Sequence, residues 1–166
     1  STKVDSYEGM SDHYNIQNWD PKSIPDFMTM IITSKRRSGK SHLLQRIIAD
    51  NYKRYDECYF FSNTTDVIPK TEYEFIPSDN KYNFLDTDKI ESILEEQQGH
   101  IVKNKHLVKK DQQPIPHVLI ILDDIISDPR FLKTNSVISK IFVMGRHIHV
   151  SLVLIAQSFS GRCGVH

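Results

Sequence analysis

The segment 33–44 reads TSKRRSGKSHLL, with the spacing of a loop built to hold phosphate. In the pattern G-x-x-x-x-G-K-[ST] the backbone amides close around an anion, the lysine reaches the β- and γ-phosphates, and the hydroxyl ligates Mg2+. Gly39, Lys40 and Ser41 fill the last three places, while Ser34 stands where the first glycine is usual. Serine serves there as long as its φ stays negative. The candidate nucleotide contacts therefore run from Ser34 through Lys35, Arg36, Arg37 and Ser38 to Gly39, Lys40, Ser41 and His42. A G-K-S tripeptide recurs by chance, so the reading depends on its surroundings.

Downstream, VLIILDDI (118–125) places two acids at the end of an apolar run, the pattern that holds a phosphate-bound Mg2+. Asp123 joins Ser41 as a candidate metal ligand. Asp124 is the candidate that polarises an attacking water, a role more often filled by glutamate. Its side chain is one methylene shorter, so the water must sit nearer the strand end. The bland alternative for the pair is capping the turn that follows. Gln157, closing the run VSLVLIAQ, either contacts the γ-phosphate as a sensor or is a satisfied strand-end amide. Arg146, in MGRHIH, has three readings: an arginine finger for transition-state charge, a contact to DNA phosphate, or a cation at a helix C-terminus. His147 and His149 lack a cysteine or acid at ligand spacing and read as structural or solvated. Lys103, Lys105, Lys109 and Lys110 form either a solvated basic face or a DNA contact.

These groups need elements to position them. FMTMIIT (27–33) is a buried strand by its apolar β-formers, and SHLLQRIIADNYKRY (41–55) is a helix with Leu43, Leu44, Ile47 and Ile48 on one face. ECYFFS (57–62) is a second strand. The stretch 63–85 is turn-rich, with a short extended piece expected at YEFIP. DKIESILEEQQGHIVKNKH (88–106) is helical along Ile90, Ile93, Leu94, Gln97 and Ile101, with Asp88 and Glu91 as its N-terminal cap. A strand at 117–125, a helix at 135–147 and a strand from Val150 complete the order β-α-β-α-β-α-β. That order predicts an α/β fold: a parallel sheet covered on both faces, with ligands at the carboxyl ends of its strands.

At 166 residues, 39% hydrophobic and 25% charged, the chain is one globular domain with a real core. Residues 1–25, polar with two prolines, read as an N-terminal arm, and 26–166 as the α/β domain. The chain starts at Ser1 and stops at SFSGRCGVH just after a strand, from which a domain lacking its last elements is expected. Lys+Arg and Asp+Glu both number 21, which excludes affinity resting on a large basic excess but leaves room for a local basic patch. Two cysteines, Cys58 and Cys163, are too few for a disulfide framework and point to a reducing compartment. No apolar run reaches the length of a membrane span, so a soluble protein with no membrane partner is expected.

In this order, MIITSKRRSGKSHLL, VLIILDDI and FVMGRHIHVSLVLIAQSF resemble the poxvirus-type genome-packaging ATPases of large eukaryotic DNA viruses and virophages, within the FtsK–HerA superfamily of P-loop motors. The resemblance covers about residues 25–160, and its most specific part is GRH ahead of a strand ending in A-Q-S. It implies an ASCE-type P-loop NTPase fold, truncated here at its C-terminus. It implies a homo-oligomeric ring that hydrolyses ATP with Mg2+ and drives double-stranded DNA, without sequence preference, into a preformed capsid. Capsid proteins would be further partners, and the host cytoplasm, the viral factory or the virion its location. On this resemblance Lys40 and Ser41 match the Walker A functional positions, Asp123 and Asp124 the Walker B pair, Gln157 the sensor and Arg146 a family arginine, whether used in cis or across a subunit boundary. Two other classes stay open on the residues. One is another P-loop enzyme such as a small-molecule kinase, for which no arginine-bearing lid is visible. The other is a nucleotide-binding scaffold that does not hydrolyse.

Overall fold

Four apolar strands and one two-residue strand make a single parallel sheet. They are β1 (Thr29–Ser34), β2 (Glu57–Ser62), β3 (Lys81–Tyr82), β4 (Val118–Asp123) and β5 (Val150–Gln157), in the order β1-β5-β4-β2-β3. The computed structural model describes residues 20–34, 39–63, 73–125 and 135–157. In β4, Val118 to Leu122 are all buried, as expected of a central parallel strand with both faces covered. The α/β parallel-sheet class predicted from the element order is the observed one.

Helix α1 (Lys40–Asn51) lies on one face, and α2 (Thr87–Lys105) and α3 (Asn135–Met144) on the other. The alternation of strand side chains feeds both layers. Leu119, Ile121, Val153 and Ile155 pack with Leu44, Ile47 and Ile48 of α1. Ile120, Leu122, Leu152 and Leu154 pack with Ile90, Ile93 and Leu94 of α2 and with Val137, Ile138 and Ile141 of α3. Each such side chain contributes about 1.5–3 kcal/mol through burial, so the two apolar layers fix the sheet between them.

Three local expectations change. The cap of α2 is Asp86, whose carboxylate accepts from the Lys89 amide at 3.0 Å; Asp88 sits exposed in the first turn, where its charge favours the helix dipole. YEFIP holds no strand: Tyr73 to Phe75 turn with Tyr73 at φ 55°, and the extra strand is β3, pairing Lys81 with Phe60 and Tyr82 with Phe61. The packed body also begins before residue 26. Ile24 is buried, the Asn51 amide donates to the Pro21 carbonyl at 3.0 Å, and the Arg54 guanidinium donates to the carbonyls of Ile24 and Lys22 at 2.6 and 2.9 Å. These bonds tie the incoming chain to the end of α1.

After α3 the chain turns through Gly145–Ile148 into β5. A Cβ on Gly145 would lie 2.9 Å from the Val150 carbonyl oxygen, so the turn closes this tightly only around glycine. The G of GRH thus has a packing reason. Among the described residues no helix is long and apolar enough to cross a membrane.

Candidate functional site

β1 delivers the chain to the carboxyl edge of the sheet at Ser34, and α1 starts at Lys40. Lys35, Arg36, Arg37 and Ser38 lie outside the described residues, as do the side chains of Ser34 and Gln157. Gly39, at φ 84° and ψ 17°, turns the backbone into the helix in a left-handed conformation. A Cβ there would meet nothing within 4 Å, so this glycine is required by its dihedral and not by space.

The first turn of α1 holds no acid, and its N-cap residue, Gly39, has no side chain with which to close the helix start. α2 is the contrast, closed by the Asp86 carboxylate. An open N-terminus presents several N–H donors and the positive end of the helix dipole to one point. Lys40 and Ser41 are half-buried in that turn, and His42 points to solvent.

Across from it stands the end of β4. Alternation puts Asp123 on the α1 side of the sheet with Leu119 and Ile121, the side on which Ser41 lies in the first turn of its helix. Registers Asp123↔Ile155 and Ile32↔Ile155 place β5 between the two strands, so the Asp123 and Ile32 backbones are about 10 Å apart at the usual spacing of adjacent strands. Asp124 follows at φ 55°, and its amide donates to the Ile155 carbonyl at 3.0 Å. The second acid is therefore turned off the sheet in a left-handed conformation that aspartate tolerates better than most residues. Gln157 ends β5 in register with Ser34, two residues beyond the level of Asp123.

Sequence reasoning passed over Ser62 and Asn63. Ser62 is in register with Asp123 and buried, and Asn63 follows it half-buried at the same edge. The available signal was polar residues closing an apolar strand beside the acidic one. Arg146 is not with the rest. It precedes β5, exposed at the amino edge, about 23 Å from the Gln157 end at 3.3 Å per residue. With His147 it lines a cleft of about 930 Å³ along Met28, Thr29 and Ile31, away from Lys40 and Asp123.

Ser41 and Asp123 fit Mg2+. Among the described residues no group of three or more His, Cys, Asp or Glu is placed to hold a metal ion. One hydroxyl and one carboxylate beside an open helix start make the donor set of an ion that keeps its waters and takes its other oxygens from phosphate. Burial, followed by the charge of Glu57, pushes the thiol of buried Cys58 up to about 12, which disfavours the thiolate form.

A family model described as "Poxvirus A32 protein" matches residues 21–161. No curated protein matches the chain. Among solved structures, the pCW3 conjugation coupling protein TcpA, in its monomer form with ATPγS, superposes with a TM-score of 0.51 at 12% identity, over 79% of this chain and 43% of that one. EssC (ATPases 2 and 3) from Geobacillus thermodenitrificans superposes with a TM-score of 0.51 at 13% identity, over 82% of this chain and 29% of that one. At such identities the likeness shows the fold, that of the P-loop ATPases. The chain spans less than half the length of these two matched structures.

Proposed function

This chain belongs to the Poxvirus A32 protein family, and we propose that it is an ATP-hydrolysing motor that moves double-stranded DNA and packages a viral genome into capsids. The observation that carries the reading is the acid-free start of α1 behind left-handed Gly39, on the same side of the sheet as Asp123.

In this mechanism the amides of the α1 start and the Lys40 ammonium bind the β- and γ-phosphates. Ser41 and Asp123 hold Mg2+, which when bound neutralises charge on the phosphate oxygens. Asp124 orients a water toward the γ-phosphorus and takes its proton. The water oxygen forms the new P–O bond as the bond to the β-phosphate oxygen breaks, releasing ADP and phosphate. Gln157, at the next strand tip, contacts the γ-phosphate and water. Arg146 stands at the far edge of its own chain, so the reading takes its charge from a neighbouring subunit and makes the working form a ring. Capsid proteins are the remaining partners, and the viral factory or host cytoplasm is the place of action. The likeness to an ATPγS-bound P-loop fold and the family membership support this reading.

Phosphate release by the purified protein, with Mg2+ and with or without duplex DNA, is the test. Hydrolysis that requires Mg2+, rises with DNA and disappears in Lys40→Ala is expected. A Lys40→Ala variant turning over at the wild-type rate overturns the site, and hydrolysis indifferent to DNA at every salt concentration overturns the motor.

A further inference from the structure

α2 outruns the sheet. Its buried Gln97 donates to the carbonyls of Pro116 at 2.7 Å and Ile148 at 2.9 Å, the residues just ahead of β4 and β5, so Gln97 marks the amino edge. The helix continues eight residues further to Lys105, about 12 Å at 1.5 Å per residue. The chain then folds back on this overhang and is clamped to it. The Asn104 side chain donates to the Gln113 carbonyl at 2.6 Å and accepts from the Gln113 amide at 3.1 Å, while the Gln112 side chain donates to the carbonyls of Asn104 and Leu107. Ile101 still packs on the core, and the result is a braced spur at the helix end beyond it, on the pole opposite Lys40 and Asp123.

Its charge is one-sided. Between Gln97 and Pro116 the sequence carries Lys103, Lys105, Lys109 and Lys110 against a single acid, Asp111, in a chain of zero net charge. All four lysines and His106 are exposed, and among the described residues no ion pair engages the lysines. A solvated helix face in this protein looks different: Lys140 is bonded to Glu91 at 2.7 Å, and Arg46 lies 3.8 Å from Asp50. Ammonium groups with no ion-pair partner among the described residues, held on a braced helix end, suit a polyanion of regular charge. The helix end, about 10–12 Å across, is the width a B-DNA major groove admits.

We propose that this spur is the DNA-gripping surface of the protein, with Lys103, Lys105, Lys109 and Lys110 contacting backbone phosphates of duplex DNA without reading sequence. It rests on the motor reading, and it sets the DNA contact at the pole away from the phosphate site.

The test is fluorescence anisotropy of a labelled duplex across a salt series, with the wild-type chain and with Lys103→Gln/Lys105→Gln/Lys109→Gln/Lys110→Gln, alongside ATP hydrolysis without DNA. Each phosphate contact contributes roughly 0.9 to the slope of log affinity against log salt. The variant is expected to lose about three to four from that slope and more than tenfold in affinity at moderate salt. Its DNA-free hydrolysis should stay at the wild-type rate, because none of the four residues belongs to the phosphate site. Lys109→Gln/Lys110→Gln, outside the helix, should give half the effect and covers the case in which the quadruple variant misfolds. An unchanged slope in a folded variant, with DNA still bound, overturns the spur and leaves the motor standing. Wild-type protein that hydrolyses ATP and binds no duplex overturns both. Loss of binding to phosphatidylserine vesicles with DNA binding intact assigns the spur to a membrane surface and likewise overturns it.

Discussion

The amide of Asp124 is bonded to the carbonyl of Ile155 at 3.0 Å, and the residue holds φ at 55°. Asparagine accepts the same left-handed dihedral and keeps the same backbone bond, so Asp124→Asn removes only the charge. ATP should bind as before, while hydrolysis falls by roughly a hundredfold or more, the scale of a lost general base. Equilibrium nucleotide binding and single-turnover hydrolysis on the same sample check both halves. A variant that loses binding as well places Asp124 in the phosphate pocket rather than at the water.

Gly39→Ala puts a Cβ where there is room but no dihedral for it. The cost should be about 1–2 kcal/mol, the penalty of an L-residue in the left-handed region. At this chain length that lowers the calorimetric melting temperature by about 2–4 °C per kcal/mol. Nucleotide affinity should fall further than stability, since the same dihedral aims the first amides of α1. Equal losses in the two would disconnect Gly39 from phosphate.

Gln97→Leu keeps the shape of a buried side chain and strips its donor from two carbonyls, Pro116 and Ile148. Each stranded acceptor costs about 1–3 kcal/mol, so urea unfolding should report a loss of about 2–4 kcal/mol at unchanged m-value. A loss below 1 kcal/mol would mean that other donors reach those carbonyls.

His117 carries a pH dependence whose sign follows from its surroundings. Its Nε2 lies 2.8 Å from buried Ser151 Oγ, Phe27 and Tyr55 pack on the ring at 4.7 Å, and His149 stacks on Phe27 at 4.4 Å. Desolvation lowers its pKa from the ordinary 6.5, against smaller raising effects from the Arg54 backbone, Asp26 and Asp56 and a further lowering by His149. The folded value lies below the unfolded one, so the unfolded chain takes up the proton first. Stability from the neutral ring is complete above 6.5 and is lost as pH falls through the folded value. Melting temperatures measured from pH 7.5 down to 5 should fall more steeply for the wild type than for His117→Gln. Parallel curves would show that His117 does not set the acid limit.

The sheet and its three helices were legible because apolar runs and a 3.6-residue stripe are local signals. The places of Gly39, Lys40 and Ser41 at the start of α1 and of Asp123 at the end of β4 were legible for the same reason, each being fixed by its neighbours in sequence. β3 was not, since Lys81 and Tyr82 pair only because Phe60 and Phe61 leave that edge open. Nor was the position of Arg146. MGRH reads alike at either pole, and only the parallel direction of β5 sets it at the far one. The meeting of Phe27, His117 and His149 joins three separate segments and leaves no mark in any of them. Ser62 was legible as the end of its strand but not as part of the site, since its burial beside Asp123 comes from strand register alone.

The start of α1 behind Gly39 also bears on how the molecule is held together. A helix normally completes its own N-terminus, as α2 does with Asp86. α1 begins behind Gly39, which has no side chain for this, so an anion docked there would complete that end. The ligand is then a missing part of the fold as well as a visitor, and binding to the folded state alone raises stability by RT ln(1 + [L]/Kd).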